Sequence, residues 1–313
     1  MVRQRKKINL SVTLNISNAK YYFLTAKNCD FLINIMNKVL EKEFLSPQVF
    51  RMKVEASEIA KKRKAGQFII LRTCDTGERI PLTIADADSK EGWIELVVQV
   101  VGTTTRSLSE LPVGGMICDL AGPLGRPTHI EKHGTVVMVG GGIGIAPSHP
   151  IAQAMKAAGN TVISILGGRS KELVIMEDKM RAASDEVIIT TDDGSYGAKG
   201  LVTDAIQKLI DEGRKLDMVI AIGPPVMMKF VSLLTKKYSI PTQVSLNTIM
   251  IDGTGMCGGC RVTVGNESKF VCVDGPEFDG HLVNFDEMIQ RLGMYRDMEK
   301  ESLDHACKIG LDR

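Results

Sequence analysis

The stretch TVVMVGGGIGIAPSHPIAQAMKAAGNTVISILGG, residues 135–168, decides the fold. It reads as an apolar strand that ends in glycines, a helical pattern, and a second apolar strand. This order is a βαβ unit, which places two parallel strands in one sheet. The order repeats downstream, where the strand-like runs EVIITT and DMVIAIG flank an amphipathic helical pattern at residues 201–213. Residues 131–240 are therefore predicted to form a parallel sheet with helices on its faces.

The regions on either side have a different texture. Upstream, the chain contains short strand-like runs without long helices between them: VFRMKVEA, GQFIILRT, RIPLTIAD, GWIELVVQVVG and MICDLAGPLG. This pattern predicts an antiparallel β barrel or sandwich over residues 36–130. Downstream, residues 241–313 contain a short strand QVSLN, a loop of glycine and cysteine, a hairpin-like RVTVGNESKFVCV and a charged tail that we expect to be helical. Residues 1–35 show no sustained period, so we interpret them as an N-terminal extension of unknown role or as residues that precede a translation start at Met36.

Composition excludes several classes of protein. The chain has 313 residues, of which 44% are hydrophobic, and its 39 basic and 37 acidic side chains nearly cancel. Without a large field of one sign, binding to nucleic acid or to an anionic membrane is disfavoured. We find no apolar run long enough to cross a bilayer and no secretory pattern. The seven cysteines, three of them within residues 257–272, predict metal ligation in a reducing, cytoplasmic compartment.

The strongest chemical signal is DGTGMCGGC, residues 252–260, followed after eleven residues by Cys272. Its spacing is that of a plant-type [2Fe–2S] site in which aspartate replaces the first cysteine. The candidate metal ligands are therefore Asp252, Cys257, Cys260 and Cys272. A zinc site with three thiolates and one carboxylate is the alternative. A further alternative is that Asp252 only caps a turn, and that solvent or another residue completes the metal site.

A second signal is GGGIGIAP, residues 140–147, between the first strand and the first helix of the predicted parallel sheet. Glycines there let the backbone approach a pyrophosphate, and the helix N-terminus favours its charge. The run departs from G-x-G-x-x-G, and Arg169 stands where an acidic ribose-binding residue is usual. The alternative is therefore left open that this run is a tight strand-to-helix turn that binds no ligand. Arg169 could pair with the 2′-phosphate of NADP or lie beside NAD, and Asp193 could accept hydrogen bonds from a ribose.

A third signal lies in the predicted barrel, where RIPLT (residues 79–83) precedes GTTTRSL (residues 102–108). Arginine can neutralise a pyrophosphate, and a turn of glycine and threonine that opens a helix donates hydrogen bonds to the same group. These features predict a second nucleotide, with Thr83 near a flavin edge unless it is only a strand former. The sequence lacks HExxH and GxSxG, and its histidines form no constellation with a nucleophile, so hydrolysis is disfavoured and no catalytic side chain is predicted.

These three motifs, in this order, resemble the ferredoxin–NADP reductase superfamily over residues 37–285. The resemblance implies a flavin-binding barrel followed by a nucleotide-binding α/β domain. It implies contacts to FAD from Arg79, Pro81, Leu82, Thr83, Gln99, Val100, Gly102, Thr104 and Thr105. It implies contacts to NAD(H) from Gly141, Gly142, Gly144, Ala146, Pro147, Gly223 and Pro224, to which Arg169 and Asp193 are added as the candidates named above, and NADP(H) is not excluded. Ile222 stands where plant-type reductases have cysteine, so a thiol beside the nicotinamide is not expected.

The cysteine region resembles two families of subunits, the electron-transfer subunits of dihydroorotate dehydrogenase B and the small subunits of NADH-dependent ferredoxin:NADP oxidoreductases, also known as sulfide dehydrogenases. The aspartate in residues 252–260 and the run VCVDGPEFDGH, residues 271–281, favour the second family. This resemblance implies an oxidoreductase with FAD and a [2Fe–2S] cluster. It also implies a heterodimer with a larger subunit that contains flavin and iron–sulfur clusters. The complex would couple NADH, NADPH and ferredoxin by flavin-based bifurcation. A zinc-stabilised docking module without redox activity is the remaining alternative.

Overall fold

The computed structural model describes the backbone of residues 37–308 and the side chains of residues 37–302. The predicted extension, residues 1–35, lies outside this range. The described chain forms two seven-stranded sheets and a two-stranded hairpin. None of the described helices combines the length and the apolar composition needed to cross a bilayer.

The first sheet is a nearly closed antiparallel barrel. Its elements are β1 (Asn37–Ser46), β2 (Val49–Glu55), α1 (Ser57–Lys62), β3 (Phe68–Arg72), β4 (Ile80–Asp88), β5 (Trp93–Gln99), α2 (Thr103–Glu110), β6 (Met116–Ile117) and β7 (Asp119–Leu124). The strand order is β6-β1-β2-β5-β4-β3-β7. The two edge strands, β6 and β7, are separated in sequence by Cys118 alone, so the sheet curls until its edges approach each other. Alternate residues of β2, including Phe50 and Met52, fill the interior, which confirms the predicted barrel.

The second sheet carries the βαβ unit. Its elements are β8 (Thr135–Gly141), α3 (Ile145–Ala157), β9 (Thr161–Gly168), α4 (Glu177–Ala183), β10 (Glu186–Thr191), β11 (Ala198–Lys199), α5 (Val202–Asp211), β12 (Met218–Ile222), α6 (Pro225–Lys237) and β13 (Thr242–Ser245). The order is β11-β10-β9-β8-β12-β13, and all of these strands are parallel. The chain winds outward from β8 on one side and then from β12 on the other. This reversal opens a crevice at the carboxyl ends of β8 and β12, where such sheets bind ligands.

The third region packs against both sheets. It contains β14 (Arg261–Val264), β15 (Glu267–Phe270), α7 (Val271–Asp274), β16 (Glu277–Asp279), α8 (Phe285–Leu292) and α9 (Arg296–Lys308). The hairpin ends at Phe270, earlier than its sequence suggests, because the Asp274 carboxylate accepts a hydrogen bond from the Phe270 amide (2.8 Å) and closes a helical turn. Strand β16 pairs antiparallel with β13, so the second sheet continues past the predicted boundary at residue 240.

A partly buried carboxyl group joins the barrel to the second sheet. The Thr128 hydroxyl donates a hydrogen bond to Glu277 Oε1 (2.5 Å). Gly66, at φ +82°, passes so close that a Cβ there would lie 2.2 Å from Thr128 Oγ1. Burial raises the pKa of Glu277 to about 7, against the smaller lowering effect of the Thr128 hydrogen bond. The folded protein therefore holds this proton more tightly than the unfolded chain does.

This shift predicts that Glu277 makes the protein less stable as pH rises from about 4.5 to about 7. Glu277→Gln keeps an oxygen that accepts the Thr128 hydrogen bond and removes the ionisation. We expect the variant to be more stable than the parent at pH 8 by on the order of 2 kcal/mol, and of similar stability at pH 5. Chemical denaturation at both pH values measures the difference, and an equal effect at pH 5 and pH 8 would contradict this assignment.

Candidate cofactor sites

Two glycine loops meet in the crevice of the second sheet. A short 3₁₀ turn, Gly142–Gly144, links β8 to α3 and places Ala146 and Pro147 in the first helical turn. A Cβ at Gly144 would lie 2.1 Å from the Ile222 carbonyl oxygen, so only glycine fits beside the end of β12. A Cβ at Gly223 would lie 3.1 Å from the Gly141 Cα. The structure therefore brings together the two segments predicted to bind the nicotinamide nucleotide.

Gly142 differs from Gly144 in its surroundings. It has φ +55°, and a Cβ built on it meets no atom of the described chain within 4 Å. The backbone here is thus open to a ligand at the positive end of α3, which suits a diphosphate.

The two glycines should respond differently to alanine. Gly142→Ala is expected to raise the KM for NADH roughly tenfold, because the methyl group enters the ligand's space, while stability falls by only about 1–2 kcal/mol from the left-handed backbone. Gly144→Ala is expected to destabilise the fold by about 2–3 kcal/mol, because β12 must move. Steady-state kinetics and chemical denaturation separate the effects. An unchanged KM for the Gly142 variant would contradict the placement of the diphosphate.

Arg169 and Asp193 lie on the loops that follow β9 and β10, at the same carboxyl edge. The Asp193 amide donates to the Arg169 carbonyl oxygen (3.2 Å), so the loops are in contact. Asp193 Oδ1 accepts hydrogen bonds from the Ser195 hydroxyl (2.7 Å) and amide (2.9 Å), and these bonds lower the Asp193 pKa. Within residues 37–302, no hydrogen bond or ion pair engages the exposed Arg169 guanidinium. Arg169 is exposed at the edge where the ribose end of a nucleotide would lie, whereas Asp193 is already engaged by Ser195, so contacts from these two residues to a nucleotide stay predictions.

The predicted flavin segment lies where two barrel strands separate. Strand β4 pairs with β3 from Ile80 to Thr83, but its pairing with β5 begins only at Ile84. Pro81, Leu82 and Thr83 therefore have no partners on β5 in the described sheet and are only partly buried. Strand β5 ends at Gln99, and Val100 leads into the loop before α2. This leaves a slot between β4 and the end of β5.

The polar groups near this slot suit an anionic ligand. Arg79 Nη1 lies 3.3 Å from Asp119 Oδ2, and its buried Nε has no hydrogen-bond partner in the described part of the chain. A buried donor of this kind requires an acceptor, which a phosphate oxygen would provide. The Thr105 hydroxyl instead caps α2, since it accepts hydrogen bonds from the amides of Val101 and Gly102 (3.0 Å each). The next amides, from Thr103 and Thr104, belong to the first turn, which has no intrahelical acceptors.

The four predicted metal ligands form two pairs. Cys260 and Cys272 are buried, with their sulfur atoms 3.2 Å apart. Asp252 and Cys257 form the second pair, in which Asp252 Oδ2 accepts the Cys257 amide at 3.1 Å. Each iron of a [2Fe–2S] cluster takes two protein ligands, so the grouping fits two irons. A single zinc needs four donors around one point, and nowhere in residues 37–302 do three or more such side chains converge.

The carboxylate of Asp252 also organises the loop. Its oxygens accept the amides of Thr254 (3.0 Å) and Met256 (2.9 Å) as well as that of Cys257. Burial acts to raise the Asp252 pKa, but these amide hydrogen bonds outweigh it and the pKa is lowered. The turn-capping role is therefore present in the structure, and metal ligation by Asp252 stays a prediction. Burial, and then the neighbouring Cys260, raises the pKa of Cys272, so this pair would release protons on binding a metal.

The metal loop lies directly on the barrel. Gly253 has φ +75°, and a Cβ there would lie 2.7 Å from Leu124 on β7 and 2.8 Å from Ile70 on β3. Ile70 pairs with Pro81 of the predicted flavin segment. Neighbouring strands are ~4.8 Å apart, so the loop is about one strand away from that segment. The sequence motifs gave no signal for this packing.

Comparison with known proteins assigns these regions. Residues 37–129 match an oxidoreductase FAD-binding domain, residues 138–233 an oxidoreductase NAD-binding domain, and residues 247–284 the iron–sulfur cluster binding domain of dihydroorotate dehydrogenase B. The chain is 48% identical, over 273 residues, to the dihydroorotate dehydrogenase B (NAD(+)) electron transfer subunit homolog of Thermotoga maritima, covering 87% of this chain and 96% of the relative. The chain belongs to this family of electron transfer subunits.

Two further relatives of the family support the assignment. The electron transfer subunit of Streptococcus thermophilus dihydroorotate dehydrogenase B is 35% identical over 257 residues, covering 79% of this chain and 96% of the relative. A solved structure of an NADH-dependent reduced ferredoxin-NADP oxidoreductase, described in connection with flavin-based electron bifurcation, superposes with a TM-score of 0.82. It is 48% identical and covers 86% of this chain and 97% of that chain. The predicted fold, the oxidoreductase class and the cofactors FAD, NAD and iron–sulfur cluster are confirmed at the level of domains.

Proposed function

We propose that this chain is the small subunit of a bifurcating NADH-dependent ferredoxin:NADP oxidoreductase. In this role it moves electrons between NAD(H), FAD and a [2Fe–2S] cluster held by Asp252, Cys257, Cys260 and Cys272. The observation that carries the proposal is the packing of Gly253 on β3 and β7, next to the flavin segment on β4. The 48% identity to a solved structure of such an oxidoreductase supports it.

The chain's own residues bind and orient the cofactors. Gly142 and the first turn of α3 would receive the diphosphate of NAD(H), and Arg79 with the first turn of α2 would receive that of FAD. When bound, a flavin exchanges hydride with nicotinamide and single electrons with an iron–sulfur cluster. The buried pair Cys260 and Cys272 keeps one end of the metal site out of water, while Cys257 lies at the exposed end. No side chain needs to act as a general acid or base.

A partner subunit follows from the electron route. The described residues contain one cysteine cluster and one parallel sheet with a nucleotide crevice, so electrons that reach the cluster need an acceptor elsewhere. We propose that the chain forms a cytoplasmic heterodimer with a larger subunit that contains flavin and iron–sulfur clusters. Electrons would be exchanged with ferredoxin through this complex. We propose no role in binding nucleic acid or membranes.

The second candidate is the electron-transfer subunit of a dihydroorotate dehydrogenase B. It is favoured by the match of residues 247–284 to the iron–sulfur domain of that enzyme. The aspartate at position 252 stands in place of the first cysteine of the plant-type pattern. It favours the ferredoxin:NADP oxidoreductase over the dihydroorotate dehydrogenase.

Anaerobic copurification from the native organism, followed by assay of the complex, tests the choice. We expect a partner that contains flavin and iron–sulfur clusters, and NADP reduction that requires both NADH and reduced ferredoxin. NAD reduction driven by dihydroorotate would establish the second candidate instead. A colourless protein with stoichiometric zinc and no flavin would favour the docking module.

A further inference from the structure

Arg291, on α8, contacts the metal loop from outside the motif. Its Nη2 donates a hydrogen bond to the carbonyl oxygen of Gly259 at 3.3 Å, and the residue is partly buried. Gly259 immediately precedes Cys260, which belongs to the buried sulfur pair. The guanidinium is therefore hydrogen-bonded to the backbone of the loop that would surround the cluster.

Helix α8 holds Arg291 at a fixed position. The Asn284 side chain caps the helix by accepting the Glu287 amide (3.2 Å). Phe285 and Met288 are buried in the same core cluster as Cys260 and Cys272. Arg291 follows Met288 by three residues and so lies near the same face of the helix. The packing of α8 on this core cluster consequently sets the distance between Arg291 and the metal loop.

The charge of Arg291 has no described carboxylate beside it. Among residues 37–302, no carboxylate forms an ion pair with it. Arg126 makes a similar contact beside Cys272, from its Nε to the Val273 carbonyl oxygen (3.1 Å). Its Nη2, however, lies 3.5 Å from Asp274 Oδ1, which offsets that charge. Of the two described guanidinium groups that donate to the backbone beside a buried cysteine, Arg291 is the one without a carboxylate partner in the described part of the chain.

We propose that Arg291 is a positioning residue that raises the reduction potential of the cluster, an inference that rests on the proposed [2Fe–2S] site. Reduction adds one electron and thus one negative charge, which a nearby cation stabilises. The hydrogen bond also offsets the partial negative charge of the Gly259 carbonyl beside the sulfur ligands. Removing the guanidinium should make the cluster harder to reduce and leave the flavin unaffected.

The test is an anaerobic redox titration of the cofactor-loaded complex, followed by EPR for the cluster and by absorbance for FAD. Arg291→Gln is expected to lower the ratio of reduced to oxidised cluster about tenfold at a given potential, which is ~59 mV for one electron. Arg291→Lys, which keeps the charge, should stay within about threefold of the parent. The matched control is Arg261→Gln: Arg261 follows Cys260 but is exposed, and solvent screens its charge, so we expect a change below about threefold.

The outcomes separate this inference from the proposed function. A parent protein without iron overturns the proposed function. A normal cluster in the Arg291→Gln variant with an unchanged potential overturns only the role of Arg291, as does an equal shift from Arg261→Gln. If glutamine prevents assembly of the cluster, Arg291→Met is titrated instead, and a cluster-free methionine variant would show that Arg291 is a structural requirement and overturn the tuning role.

Discussion

Cys260→Ser is expected to reduce the iron bound to this chain, measured after separation from its partner, from about two atoms to nearly none and to abolish the EPR signal of its cluster. Cys260 is buried with its sulfur 3.2 Å from that of Cys272, so its loss breaks the inner ligand pair. Reduction of FAD by NADH should remain within about twofold of the parent, because the flavin and nucleotide segments lie on other elements. Iron analysis, EPR and stopped-flow absorbance measure these quantities.

The matched control for this variant is Cys74→Ser. Cys74 is an exposed thiol in the loop between β3 and β4, and it contacts Thr76 rather than a predicted metal ligand. We expect normal iron content and normal flavin reduction. If Cys260→Ser lost FAD along with iron, the cluster and the flavin could not be separate modules, and the division of the chain would be wrong.

Arg79→Ala is expected to raise the dissociation constant for FAD by about 10- to 150-fold, as removal of a hydrogen bond to a charged group costs about 1.5–3 kcal/mol. The physical reason is the buried Nε of Arg79, which has no partner among the described residues and would meet a phosphate oxygen. Recovery of flavin fluorescence on release measures the constant.

Lysine at position 79 provides the comparison. It keeps the positive charge but not the planar pair of donors, so Arg79→Lys should lie between the parent and the alanine variant. Both variants should retain the iron signal, because the metal loop contacts β3 and β7 rather than Arg79. An FAD dissociation constant within twofold of the parent for Arg79→Ala would place the diphosphate elsewhere.

The sequence was most informative where structure is local. Alternating burial along Val49–Glu55 and the continuous apolar run of β8 follow from a period of two and from burial on both faces, so both sheets were predictable. The glycine loop follows from its place between a strand and a helix. Spacing alone identified the metal loop, because ligands close in sequence are close in space.

The remaining features depend on contacts between distant residues. Strand β16 joins β13 across more than thirty residues, and the Thr128–Glu277 hydrogen bond spans 149. Arg291 reaches Gly259 only because α8 packs on the same core, and no local pattern indicates this. Asp252 was ambiguous for another reason: a carboxylate that caps a turn and one that binds a metal occupy the same sequence position.

The most direct test is a cofactor count on this chain, produced together with its partner and then separated from it without oxygen, with iron, inorganic sulfide, zinc and flavin measured on one sample together with its EPR spectrum. We predict about two irons, two sulfides and one FAD for this chain, with a reduced-state EPR signal that NADH elicits. Stoichiometric zinc, or iron at one atom per chain without sulfide, would contradict it.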